Sequence, residues 1–297
     1  MKNCFIAFAL LSIAFSAHSQ NPNEDVVDTA LRPTLISKQF SFTEGASVDK
    51  HGNVFFTDQP NDKIWEYDVN GKLSVFLEKA GRANGMYFDK NGDLLACADE
   101  HDELWLIAPD KKIKVLLTNY QGHRLNGPND VWIDNKGGIY FTDPYYQRPY
   151  WDRTTSDMKG QYVFYLPKGK APPVLVADDL LQPNGIVGTP DYKYLYVADI
   201  KANKTYKYTI DKDGLLSDKQ LLINQGSDGM TLDEKGNIYL TGNGVTVYSP
   251  EGKKIAHIAI PEKWTANLCF GGKNKDELFI TASEAIYRIH MKVRGVE

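Results

Sequence analysis

One tight turn recurs along the chain at an interval that few folds can accommodate. Asp49-Lys50-His51-Gly52-Asn53, Asp89-Lys90-Asn91-Gly92-Asp93, Asp134-Asn135-Lys136-Gly137-Gly138, Pro190-Asp191-Tyr192-Lys193 and Asp233-Glu234-Lys235-Gly236-Asn237 read as the same hairpin signal. Their Asp residues stand 40, 45, 57 and 42 residues apart, and Gly271 to Asp276 gives a sixth, degenerate copy. Gly, Asn and Asp supply the positive φ that such a turn demands. Self-similarity at this period marks a repeat architecture.

Each turn lies between short apolar strands, Ala46 to Val48 before and Val54 to Thr57 after it in the first copy. A third strand follows at Ile64 to Asp68 and a fourth at Leu73 to Leu77. Four antiparallel strands per repeat of about 40 residues describe a propeller blade. The last repeat has only three, Ala266 to Phe270, Glu277 to Thr281 and Ala285 to Ile289. Thr34 to Phe40 can supply the fourth, which predicts an all-β, six-bladed propeller over 34–297, closed by an N-terminal strand with no sheet edge left open. The alternative is an irregular sandwich.

Aromatics at 12% of the 297 residues, with 17 Tyr and 24 Gly, suit strands and tight turns. A net charge of -4 gives no basic stripe for nucleic acid, so small molecules or cations are the expected partners. The positive start at Lys2 and the apolar run Cys4 to Phe15 predict a signal peptide over 1–19, cleaved after Ser19, with a lead over 20–33. Export to the periplasm or the medium follows, and no later stretch is long enough to span a bilayer. Of three Cys, Cys4 leaves with the signal, and Cys97 and Cys269 read as buried free thiols.

Function concentrates before the inner strands. Glu44-Gly45, Asn84-Gly85, Arg124 to Asp130, Pro183-Asn184-Gly185 and Ser227-Asp228-Gly229 each precede one. The topology brings Glu44, Asn84, Asn126, Asn129, Asn184 and Asp228 to one end of the central channel. Glu44, Asn129, Asn184 and Asp228 make an all-oxygen donor set of limited charge, suited to calcium or another hard divalent cation rather than zinc. Single Asn-Gly or Asp-Gly pairs merely make turns; four at equivalent blade positions point to a site. The loops joining second and third strands, with Asp58, Asp99, Asp143 and Asp199, open on the same face. Blade three carries the longest, Pro144 to about Gly160, rich in Tyr145, Tyr146, Tyr150 and Trp151, which reads as a lid or as outer packing.

On these residues the chain resembles the senescence marker protein, gluconolactonase and luciferin-regenerating-enzyme family from about Thr34 onward. The resemblance implies a six-bladed calcium propeller that hydrolyses lactones, some relatives acting on organophosphorus esters. Carried over by position, Glu44, Asn184 and Asp228 match metal ligands, and Asn129 a fourth ligand of some members. Arg124 and Asn126 match substrate contacts of the animal-type lactonases, although Gly127 to Asp130 departs from those toward bacterial lactonases and phosphotriesterases. Asp228 matches the proposed general base.

The corresponding chemistry is ester hydrolysis with the metal as Lewis acid and a water activated by Asp228 first or Glu44 second. Metal-bound carboxylates are weak bases, so strained lactones and activated esters are the expected substrates. His101 and Tyr145 are the further candidates for substrate contact, against an ordinary loop histidine and a packing tyrosine. No nucleophile elbow is present, since Gly45-Ala46-Ser47-Val48-Asp49 fails at its last position. A phosphotriesterase-like hydrolase and a non-catalytic binding propeller with structural calcium are the alternatives.

Overall fold

Four of the recurrent turns are closed by their own leading carboxylate, and in the Asp191 copy Thr189 Oγ1 accepts the Tyr194 N–H instead. Asp49 Oδ1 accepts the backbone N–H groups of His51 and Asn53 at 2.8 and 2.9 Å. Asp89, Asp134 and Asp233 repeat that grip two and four residues on. These are Asx turns. The computed structural model describes residues 1, 26–28, 31–169 and 172–297. Apart from Met1, the expected signal segment lies outside the described residues, as does part of the lead.

Between the turns the chain forms six four-stranded antiparallel sheets. Blade one comprises Thr43–Val48, Val54–Asp58, Lys63–Tyr67 and Leu73–Glu78; blade two comprises Ala83–Phe88, Leu94–Ala98, Glu103–Ile107 and Ile113–Leu117. Blade three is Val131–Ile133, Ile139–Asp143, Gln161–Leu166 and Val174–Leu180. Blade four is Pro183–Gly188, Tyr194–Asp199, Lys204–Ile210 and Leu216–Ile223; blade five is Met230–Leu232, Ile238–Leu240, Val245–Tyr248 and Lys254–Ile258. The sixth takes Asn267–Gly271, Glu277–Ala282 and Ala285–His290 from the C-terminal end, and Thr34–Ser37 pairs outside them with Thr34 opposite Arg288. The first strands of successive blades are neighbours all the way round, blade one meeting blade six. This is the closed six-bladed propeller that the repeat predicts. A short hairpin, Asn119–Tyr120 with His123–Arg124, falls outside the repeat.

The core sits between adjacent blades. Phe56 of blade one lies 5.2 Å from Phe40 and 5.5 Å from Phe279 of blade six, ring centre to ring centre, which fastens the closing seam. Cys97 and Cys269 are buried free thiols, and burial pushes both well above the usual thiol range. No described helix is long and apolar enough to cross a membrane.

One placement differs from the sequence reading. Glu44, Asn84 and Asn184 lie inside their inner strands rather than in loops before them. Pairing slips between Glu44 and Ser47, between Ala83 and Met86 and between Pro183 and Ile186. A bulge keeps the strand in its sheet while re-aiming one side chain. Asn129 and Asp228 do precede theirs.

Candidate active site

The end of the channel is built by pressing each inner strand onto the next. A Cβ on Gly45, at φ +54°, would stand 1.9 Å from the Asn84 carbonyl oxygen. One on Gly185 would stand 2.2 Å from that of Asp228. Only glycine permits such an approach. Threonines on second strands hold the same backbone from outside: Thr57 Oγ1 donates to Asn84 O at 3.3 Å and Thr142 Oγ1 to Asn184 O at 2.8 Å. The main chain of the site is thus tied down on both sides.

Glu44, Asn129, Asn184 and Asp228 are all buried, at 4, 5, 2 and 8% exposure. The Asn184 amide donates to the Tyr146 hydroxyl at 3.0 Å and also bonds Asp228. Trp264 Nε1 donates to Asp228 Oδ2 at 2.5 Å. Glu44 Oε2 accepts the Gly45 N–H at 3.2 Å. Beside them Asp130 accepts Val131 N–H at 3.0 Å and Ile186 N–H at 3.3 Å, bracing blade three against blade four.

Burial dominates the electrostatics. It pushes Glu44 well above the usual carboxylate range, and the nearby Asp228 charge pushes it further. Asp228 rises to about 6 from burial, against the Trp264 and Asn184 hydrogen bonds that favour its charge. Asp130 rises to about 8 for the same reason. The cationic side chain acting on both Glu44 and Asp228 is Arg148. Two desolvated carboxylates that repel one another, with the Asn184 amide bonded to Asp228, match what a hard cation requires. Among the described residues no three His, Cys, Asp or Glu converge as a metal cluster, so any such site here relies on Asn129 and Asn184.

The insertion of blade three folds across this face. Elsewhere the Asp at the end of the second strand clamps its own blade: Asp58 accepts Ser41 and Phe42 N–H, Asp143 accepts Asn126 and Gly127, and Asp199 accepts Leu181 and Gln182. Asp99 of blade two instead holds the insertion. Its Oδ2 accepts Arg148 Nε at 3.0 Å and the Tyr150 hydroxyl, and its carbonyl accepts Trp151 Nε1 at 2.7 Å. Arg153 pairs with buried Asp102 at 2.7 Å. The insertion is anchored at its base, and Tyr146 and Arg148 are its members that reach the carboxylates.

The residues expected to meet substrate are spread more widely. Asn126 is fully buried: its amide donates to Asp143 O and Gly160 O at 2.9 Å each, and its Oδ1 accepts the Ser156 hydroxyl. Its polar atoms are committed to the root of the insertion, not offered to a ligand. The Arg124 guanidinium bonds Asp152 at 2.6 Å and lies 3.7 Å from Asp102. The Tyr145 ring packs 5.6 Å from Trp151, and its hydroxyl bonds Gln147. The His101 ring stacks 5.7 Å from Trp105. Among the described residues no side-chain contact joins any of the four to the Glu44 and Asp228 cluster, whereas Tyr146, expected only as part of the lid, and Arg148, Asp130 and Trp264, not expected at the site, are joined to it by hydrogen bonds or by charge. Arg148 could have been found by asking what the insertion carries besides its aromatic residues; Trp264 occupies no repeated position and gives no signal.

From Asp228 a cavity of about 500 Å³ opens outward over blade five, with Trp264, Asn203, Gln225, Lys254 and His257 among its walls. Asp228 faces this space, while Glu44 does not line it.

Comparison with known proteins agrees with this architecture. A gluconolactonase of Zymomonas mobilis is 29% identical over 302 aligned positions, covering 91% of this chain and 84% of its own. A Xanthomonas campestris structure, described as a gluconolactonase important in glucose secondary metabolic pathways, is 25% identical with a TM-score of 0.81, covering 86% of this chain and 88% of its own. A calcium-binding regucalcin from Agrobacterium tumefaciens shares the fold at 20% identity, with a TM-score of 0.73 and coverage of 89% and 95%. Residues 42–284 match the SMP-30/Gluconolactonase/LRE-like region, and with its bulged inner strands and closed ring of blades the chain belongs to that family.

Proposed function

We propose that the protein is a metal-dependent lactone hydrolase, with Asp228 as general base. The observation that carries this reading is the buried pair Glu44 and Asp228, set with two amides at the mouth of a propeller of this family, one carboxylate facing an open cavity. The lactonase names of its relatives support the reaction class.

Glu44, Asn129, Asn184 and Asp228 would hold the cation, and their oxygen chemistry favours calcium, with other divalent ions as competitors. Bound there, it would polarise the ester carbonyl and offset developing negative charge. The protein's own part is proton handling, orientation and exclusion of water. Asp228 fits the base better than Glu44 because it borders the cavity through which water and substrate arrive. Trp264 and Asn184 hold its carboxylate in one orientation. Tyr146 reaches the site from the insertion, and Arg148, its guanidinium 5.6 Å from the Tyr146 ring centre, adds positive potential where negative charge develops. The insertion then serves as a lid over the carboxylates. Arg124, Asn126, Tyr145 and His101 act on substrate indirectly, through the lid and the face it rests on.

Hydrolysis of glucono-lactone, a γ-lactone and a phosphotriester, with calcium and then with chelator, tests the reading. Calcium-dependent lactone turnover, abolished in a folded Asp228→Asn protein, is expected; a loss of about 10²–10⁴-fold is usual for a general base. Turnover unaffected by both changes would remove cation and base together. Phosphotriester turnover alone would move the protein to the other ester class.

A further inference from the structure

The cavity beyond Asp228 is larger and more one-sided in its chemistry than a lactone ring requires. At about 500 Å³ it falls within the ~300–1,000 Å³ of clefts that enclose whole ligands. Asp228 is its one acidic wall residue, and that carboxylate is turned toward Trp264 and Asn184 at the inner end. The far end carries Lys254 and His257.

These two stand on one face of the outer strand because of a bulge. Tyr248 pairs with Lys254 and Val247 with Ala256, so Ile255 is the extra residue. Tyr248 and Thr246 share a face, so their partners Lys254 and His257 share it as well. Without the bulge they would point to opposite sides. Among the described residues no ion pair occupies Lys254.

Two amides in the walls have spent their acceptors and kept their donors, while Ser227 and Thr241 turn their hydroxyls to the Gly229 and Ala266 carbonyls. Asn203 Oδ1 accepts the Gly226 N–H at 3.0 Å, and Gln225 Oε1 accepts the Tyr248 hydroxyl at 2.8 Å, so each amide NH2 remains without a partner among the described residues. The Thr246 hydroxyl engages His257 Nδ1 at 3.2 Å, which leaves Nε2 for a ligand. Spare donors beside a free ammonium select an oxyanion over a cation or an apolar chain.

From this geometry we infer that the cavity is a substrate subsite for an oxyanion-bearing arm, gripped by Lys254 and His257 while the lactone lies against Asp228. The ligand class is a sugar-acid lactone, or similar ester, carrying a phosphate, sulfonate or second carboxylate distal to the reacting carbonyl. The substrate class rests on the hydrolase reading above; the recognition of the arm does not.

Calorimetric binding of gluconate, glucarate and 6-phosphogluconate separates the two, run in calcium and again in chelator so that phosphate cannot report only a central cation. The wild-type protein is expected to bind 6-phosphogluconate roughly tenfold or more tighter than gluconate, as one charge-assisted contact allows. Glucarate shows whether a carboxylate suffices as the arm. That preference should collapse toward one in Lys254→Ala and shrink in His257→Gln, each checked for an unchanged circular dichroism spectrum. Equal affinities in the wild type, or a preference that survives Lys254→Ala, would overturn the subsite. A wild-type preference for the phosphorylated acid that is lost in Lys254→Ala, without any lactone turnover, would sink the hydrolase reading and leave the subsite standing; turnover without preference would do the reverse.

Discussion

Replacing Asp99 by Asn should open the lid while leaving the propeller folded. The change is isosteric, so packing around this buried residue is retained and the charge is what goes. Asp99 is the common acceptor for Arg148 and Tyr150. Hydrogen bonds to charged groups contribute about 1.5–3 kcal/mol each. The Arg148 side chain is 22% exposed, so water recovers part of its share. A net loss of about 3 kcal/mol from lid closure is then reasonable, equivalent to about a hundredfold rise in the open population. No ladder bond between blades is touched, so the loss should appear as local opening rather than as global unfolding.

Limited proteolysis is the assay. The bonds after Arg153 and Lys159 should become sensitive to trypsin in Asp99→Asn, the bond after Arg148 being protected by Pro149, while the melting temperature moves by only a few degrees. Freed from Asp99, Arg148 can turn onto Glu44 and Asp228, and the proposed cation site then predicts that calcium protects the variant less than the wild type. Unchanged cleavage, or a melting transition that collapses with the lid, would refute the account of Asp99 as a lid anchor detached from its own blade.

Gly45→Ala should cost about 1–2 kcal/mol from the left-handed backbone alone, before the clash with Asn84 O is added, and a urea melt checks it. Burial pushes Asp143 up to about 7, above its unfolded value, so the stability it contributes is fully present below about pH 4 and lost as pH rises through 7; Asp143→Asn should flatten that part of the stability profile measured in chelator. Deleting Gln147 to Asp157 should alter substrate preference more than melting temperature, and the opposite result would make the insertion structural.

Blade number, turn positions and the closing N-terminal strand were legible in the chain itself. The reason is locality: an Asp that grips N–H groups two and four residues ahead writes its turn into five consecutive letters, and the letters recur. Glu44, Asn129, Asn184 and Asp228 could be picked out as a buried set because repetition places them at equivalent points of a closed ring. The bulges at Glu44 and Asn184 were invisible, since a slip of pairing depends on the partner strand rather than on the residue.

What lies between blades belonged to the tertiary structure. Asp58, Asp99, Asp143 and Asp199 look alike in sequence, yet Asp99 alone of the four is committed to the lid, through Arg148 and Tyr150 some 50 residues away. Asn126, expected at substrate, is consumed by Asp143, Ser156 and Gly160 at the root of that lid. Trp264 reaches Asp228 from a segment with no repeated motif. A hydrogen bond or charge contact across blades is decided by where two distant backbones come to rest, and no local pattern records it. The sequence by itself determined the ring and its carboxylates; only the folded ring decided which side chains attend them.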